Sequence, residues 1–280
     1  MRSRSNLCPA CADRYAVVFS FFARSMTLGI LAAIHDEVDG LVAAMRHDDS
    51  RATVRTIGMR DYYAGHLYGQ PCVLVLARMG KVAASATTVT LIREFGAKQI
   101  VFTGLAGGIG MDTQVGDIVI ADRTIQHDLD ARPFFGRHEV PLLDRAEFPA
   151  DPALTAELHG AAADFLRQDL AAEVPREVRE RFGVASPALH QGMIASGDQF
   201  IGSPVAVAEL RERLPGLLAV EMEGAAVAQV CHEYGVPYAV MRTISDRADD
   251  TAHVDFSAFL TDVASHYSSG VLRRLLAARA

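Results

Sequence analysis

The sequence predicts one α/β domain. Three observations carry this. Apolar runs of strand length alternate with segments of helical period from Met26 onward. Half of the 280 residues are hydrophobic, enough to bury a sizeable core. No repeat, linker or shift in composition divides residues 26–280.

The elements follow in order. Residues 27–34 read as a strand. His35, Asp36 and Glu37 then open a helix whose apolar positions Val38, Leu41, Val42 and Met45 keep helical spacing. Residues 54–58, 61–67 and 71–77 look like a three-stranded meander, turned at Tyr68-Gly69-Gln70-Pro71. Gly80 and Lys81 start a helix over 82–95, and 99–102 is a buried strand. Thr103-Gly104-Leu105-Ala106-Gly107-Gly108-Ile109-Gly110 reads as a glycine-rich loop, and a strand over 118–125 comes next. Residues 126–149 are irregular, and a long irregular segment in a compact domain is usually functional or at an interface. A helix over 152–170 precedes a charged surface excursion over 171–187. Then come a strand over 189–196, a helix at Pro204–Arg213, an apolar run 217–220, a small-residue helix at Gly224–Tyr234 stopped by Gly235 and Pro237, a strand over 238–244 and a terminal helix over 256–278.

Residues 1–25 stand apart. A basic start, Cys8-Pro-Ala-Cys11 and a short apolar run invite comparison with a signal peptide or a zinc knuckle. Asp13 and Arg14 interrupt the run, and no second ligand pair lies nearby. The expectation is a non-essential extension ahead of a domain at 26–280. The net charge of -7 argues against nucleic acid or an anionic membrane as the main partner, and no run is long enough to span a bilayer. Cys72 and Cys231 lie in apolar segments, a usage that fits a reducing, cytoplasmic compartment.

The chemistry concentrates in residues 219–246. Glu221 and Glu223 follow one apolar run, and Ser245 and Asp246 end another, so strand, helix and strand place acidic groups at C-terminal strand ends, where α/β sheets bind ligands. Two readings stand for the glutamates: sugar contact and proton transfer, or complementing a helix dipole in its first turn. Glu37 and Asp198 also lie just past strands, and Phe200 offers either a core side chain or a stacking face for a planar base. The glycine-rich stretch is neither a dinucleotide fingerprint nor a P-loop, although Gly107 would let a ligand approach the backbone. His127, Asp128 and Asp130 read as a hydrogen-bonded loop, since no further ligand has matching spacing for a metal.

Taken together the motifs resemble the nucleoside phosphorylase and nucleosidase superfamily, and most of all the bacterial 5'-methylthioadenosine/S-adenosylhomocysteine nucleosidases. The matching stretches are Leu28-Gly29-Ile30-Leu31-Ala32-Ala33-Ile34 with Glu37-Val38, Gly80-Lys81-Val82-Ala83-Ala84, Thr103-Gly104 with Ala106-Gly107-Gly108, and Val115-Gly116-Asp117-Ile118-Val119. Ser196-Gly197-Asp198-Gln199-Phe200-Ile201, Val220-Glu221-Met222-Glu223 and Ile244-Ser245-Asp246 complete the series. The resemblance implies a nucleoside phosphorylase-like fold, a single α/β domain with a central mixed twisted sheet flanked by helices, and hydrolysis of the N-glycosidic bond, with no cofactor and no metal. Asp246 would protonate adenine N7, Ser245 would hold Asp246, and Glu37 would take the water's proton. Glu223 would bind the ribose hydroxyls against Met222, Phe200 would stack on the base, and the backbone of Ile201 would read its edge. The resemblance also implies a homodimer whose 126–149 loop, through Ala131 and Phe134, faces the partner subunit's Met79 and Phe256.

Two departures bear on specificity. Leu105 stands where many nucleosidases have Ser, and Arg78 where they have a small residue. Phosphorylases of the superfamily often carry an Arg before the glycine-rich stretch to bind phosphate. Phe102 occupies that place, so water is the expected nucleophile unless Arg78 reaches the same pocket. The alternatives are a futalosine-type nucleoside hydrolase, a phosphate-dependent phosphorylase, and a non-catalytic nucleoside-binding protein.

Overall fold

The computed structural model describes residues 27–32, 35–247 and 256–279, and for Asp36, Glu37, Phe256 and Ser257 the backbone only. The expectations for residues 1–25, including Cys8 and Cys11, lie outside the described residues. So do those for the side chains of Glu37 and Phe256. The expected meander is present: β2 (Thr53–Ile57), β3 (Arg60–Leu67) and β4 (Gln70–Leu76) pair antiparallel. β1 (Leu28–Ala32) lies parallel between β4 and β5 (Gln99–Thr103). The other strands are β6 (Leu105–Gly108), β7 (Ile118–Gln126), β8 (Glu147–Pro149), β9 (Leu189–Ser196), β10 (Leu217–Glu221) and β11 (Tyr238–Asp246). Among the described residues they make one mixed sheet of eleven strands, ordered β2-β3-β4-β1-β5-β11-β6-β10-β9-β7-β8. An added β11–β7 pairing closes β11, β6, β10, β9 and β7 into a ring.

Several sequence expectations change. The glycine-rich stretch is a strand, β6, rather than a loop. It runs parallel to the end of β11 and antiparallel to β10. The strand is closely packed there: a Cβ on Gly108 would stand 3.0 Å from Thr113 Oγ1 and 3.1 Å from Ile244 Cγ2. Asp246 is the last residue of β11 rather than a residue beyond it. β11 carries a register shift between Ile244 and Asp246, where Ser245 is the extra residue opposite β6. Such a bulge re-aims the side chains at a strand end.

β10 and β11 are not neighbours, as a simple strand-helix-strand reading implies. β6 lies between them, and Gly107 is paired with both Val220 and Asp246. That single residue brings the two acidic strand ends together.

The helices obey their local signals. His35–Asp48 buries Val38, Leu41, Val42 and Met45. Asp151 caps Pro152–Asp164 by accepting from Leu154 N at 2.8 Å, and Gly235 ends Gly224–Tyr234 in the left-handed region at φ 64°. The helix beginning at Pro152 passes into a π-helical turn at Phe165–Asp169. The charged stretch that follows is not only a surface excursion, since it folds into Arg176–Arg181 with Val174 and Val184 buried on either side. The terminal helix Ser265–Ala277 buries Tyr267, Val271, Leu272, Leu275 and Leu276 and packs on Pro152–Asp164 and His35–Asp48.

Candidate active site

A cleft of about 640 Å³, open to solvent, lies where the ends of β9, β10 and β11 meet β6. Leu105, Ala106 and Gly107 of β6 form one wall, and Phe200 with Ile201, just past β9, form another. Val220, Met222 and Met79 add apolar surface, and Glu221, Glu223, Ser245 and Asp246 bring the polar groups. Phe200 is 54% exposed and Met79 76%, so the cleft mouth is lined by open apolar groups.

The structure separates the two glutamates. Glu221 ends β10 and is buried. Its carboxylate accepts from Glu223 N at 3.1 Å, from Gly224 N at 2.9 and 2.8 Å, and from the Ser196 hydroxyl. It also accepts from Arg242 Nη2 at 2.6 Å. Glu221 therefore serves the helix start at Gly224, as the dipole reading has it. Glu223 instead turns to the cleft, where its Oε1 accepts from Gly80 N at 2.8 Å. Burial, and then the charge of Glu221, push the Glu223 carboxyl up to about 7. Arg242 and the Gly80 N–H oppose that rise.

Asp246 is buried at the strand end, and its Oδ2 accepts from Ser245 Oγ at 2.6 Å. Ser245 thus fixes the carboxylate's orientation. The cleft gathers Phe200, Ile201, Met222, Glu223, Ser245, Asp246, Met79 and Gly107 of the candidate residues. It does not include Phe134, which is 86% exposed on the loop after β7. Glu37 lies in the first turn of His35–Asp48, and Phe256 opens the helix Phe256–Phe259.

Arg242 was missed in the sequence reading. It is 0% exposed, its guanidinium centre lies 3.9 Å from the Phe102 ring centroid, and it links β11 to β10 through Glu221. The available signal was a charge inside the apolar run of residues 238–244, because a buried Arg requires a buried acidic partner. Phe102 is itself core beneath that guanidinium and does not line the cleft. Arg78 donates to the Met59 carbonyl and is likewise not a lining residue. Among the described residues no Lys, Arg or His lines the cleft. Asp128 is bound to Lys81 and Asp130 to Arg132, the hydrogen-bonded loop that the sequence suggested. Among the described residues no group of three or more His, Cys, Asp or Glu is placed to hold a metal ion.

Fold and site together define a class, an α/β protein that gathers carboxylates and one aromatic face at its strand ends. The phosphorylase superfamily model matches residues 27–277. A 5'-methylthioadenosine/S-adenosylhomocysteine nucleosidase of Aeromonas salmonicida is 36% identical over 254 residues, spanning 90% of this chain and 99% of that protein. The nucleosidase of Neisseria meningitidis in complex with methylthio-immucillin-A has a TM-score of 0.77 at 34% identity, covering 90% of this chain and 99% of that one. That of Colwellia psychrerythraea in complex with adenine has a TM-score of 0.76 at 31% identity, covering 90% and 95%. The chain belongs to the phosphorylase superfamily and, within it, to the 5'-methylthioadenosine/S-adenosylhomocysteine nucleosidases.

Proposed function

We propose that this chain hydrolyses the N-glycosidic bond of 5'-methylthioadenosine and S-adenosylhomocysteine, releasing adenine and the 5-substituted ribose. The observation that carries the reading is the charge of the cleft: three carboxylates and, among the described residues, no cationic side chain. Among the described residues phosphate has nothing there to neutralise it, whereas water needs only a base. Adenine release from both substrates, equal with and without phosphate, is the expected result. Strict dependence on phosphate would overturn it.

In this reading Asp246, oriented by Ser245, donates a proton to adenine N7 as the bond from N9 to C1' breaks. Glu37 takes the proton of the water that attacks C1'. Glu223 accepts the ribose hydroxyls beside Met222, Phe200 stacks on adenine, Ile201 reads the base edge through its backbone, and Gly107 lets the ligand approach β6. Acid and base on opposite faces of the reacting carbon parallel the inverting glycosidases.

Glu223 sets a pH dependence. Only its ionised form accepts both hydroxyls, and its carboxyl is pushed up to about 7. KM is expected to rise as pH falls below that value, by roughly tenfold per unit. Glu223→Gln binds weakly at every pH and lacks this limb. A Gln variant that keeps the limb would assign it to another group.

The oligomeric part of the reading rests on exposed apolar groups. Phe134 is 86% and Leu142 85% exposed on the 126–149 loop, and Met79 and Val82 are exposed beside the cleft. We read the chain as a homodimer in which Phe134 faces the partner subunit's Met79 and Phe256, giving a thioether tail an apolar wall. Phe134→Ala should then raise KM for methylthioadenosine several-fold more than for adenosine, well short of the roughly 3–5 kcal/mol of a fully buried Phe. A fully active monomer in sedimentation would sink the shared pocket. Residues 1–25 are dispensable in this reading. Cys72 and Cys231, free and buried, suit the cytoplasm, and no helix among the described residues is long and apolar enough to cross a membrane.

A further inference from the structure

Beside the cleft three residues close a hydrogen-bonded ring. Lys81 N donates to Asp198 Oδ1 at 2.8 Å, Asp198 N donates to Asp128 Oδ2 at 2.8 Å, and Lys81 Nζ donates to Asp128 Oδ1 at 2.6 Å. Lys81 Nζ also donates to Gln126 Oε1 at 3.1 Å and stands 3.9 Å from Asp198 Oδ2. The Lys81 and Asp128 side chains are only 16% and 19% exposed, so solvent weakens their ion pair far less than a surface pair. Neither side chain lines the cleft, and neither has a part in the reaction above.

The ring connects two things the reaction needs. Helix Lys81–Glu94 has no side-chain cap of its own, and its first backbone N–H groups are taken by distant carboxylates. Gly80 N goes to Glu223 and Lys81 N to Asp198. One helix start therefore holds the ribose-side carboxylate and the segment of residues 197–201 in a fixed relation. A Cβ at Gly80, whose φ is +94°, would stand 3.2 Å from Asp198 Oδ1, so the two segments touch closely. Asp128 holds the same segment by a second hydrogen bond, accepting from Asp198 N.

We propose that Lys81 and Asp128 are positioning residues that lock the 197–201 segment onto the start of helix Lys81–Glu94 and so set Phe200 and Ile201 at the correct distance from Glu223. That Phe200 and Ile201 receive the base rests on the function proposed above. The lock itself does not.

The test has two arms. In the first, Lys81→Met and Asp128→Asn are assayed for adenine release, with free adenine and 5-methylthioribose as product inhibitors. The expected result is that KM and the inhibition constant of adenine rise together by about tenfold, while kcat and the 5-methylthioribose constant stay within about threefold. The double variant is expected to be no weaker than the weaker single one, because both residues act in one ring. An unchanged adenine constant in both single variants overturns the proposal. So does an equal loss for both inhibitors, which marks general damage.

The second arm needs no turnover. The chain has no Trp, so Phe200→Trp installs a single reporter on the segment. Adding Lys81→Met or Asp128→Asn is expected to raise acrylamide quenching and lower emission anisotropy, with thermal melts showing that the fold persists. Unchanged emission in both overturns the lock. A wild-type chain that releases no adenine while the reporter loosens would retain the lock and refute the nucleosidase reading.

Discussion

Asp246→Asn is expected to lower turnover by about 100- to 10,000-fold, the usual contribution of general acid catalysis. Nucleoside binding should largely persist. Asn has the shape of Asp and still accepts from Ser245, whose Oγ lies 2.6 Å from Asp246 Oδ2. The amide has no acidic proton for N7, so the departing base leaves as an unstabilised anion. The loss therefore falls on kcat rather than KM. Calorimetric titration with a non-hydrolysed nucleoside separates the two. Near-wild-type turnover would remove Asp246 from the reaction, and lost binding would make it a structural group.

Arg242→Met is expected to cost about 3–5 kcal/mol of stability, because it leaves Glu221 as a buried charge without its cation. The wild-type pair is 2.6 Å apart, with both side chains out of solvent. Arg242 also donates to Met241 O at 3.0 Å and covers the Phe102 ring. Met is long enough to fill much of the space, so the charge dominates the effect. Glu221→Gln in the same chain should recover part of the loss, since the uncompensated carboxylate is then gone. Denaturant unfolding of the two singles and the double measures this coupling. Additive losses would show that the pair contributes only packing. Loss of Arg242 also removes a charge that favours ionised Glu223, so the acidic limb of KM should move to higher pH.

The strand and helix pattern was largely legible because it rests on local rules. Val38, Leu41, Val42 and Met45 mark one face of a helix by spacing alone, and Gly235 needs only its own φ to end another. The carboxylates Glu221, Glu223 and Asp246 stood out for a related reason, since polar groups at the ends of apolar runs are conspicuous in a chain this hydrophobic. Met79, Ile201 and Met222 were implied only by the family resemblance. The glycine-rich stretch was not legible as a strand. Its pairing partners, Val220 and Thr243, are more than a hundred residues away, and local propensity at Gly107 and Gly108 argues against a strand.

What the sequence determined by itself is therefore the α/β class, the order of elements and the residue types of the site. What only the tertiary structure decided is which groups each carboxylate meets. Glu221 and Glu223 are two positions apart and chemically alike. Glu221 meets Arg242, Ser196 and the helix start, while Glu223 meets Gly80 and the cleft. Arg242 lies on β11, Ser196 on β9, and Gly80 more than a hundred residues earlier in the chain, so no local spacing records the difference. The same holds for Lys81 and Asp128, whose 2.6 Å contact spans 47 positions. Burial turns such contacts into shifted ionisation and fixed geometry, and burial is a property of the packed chain.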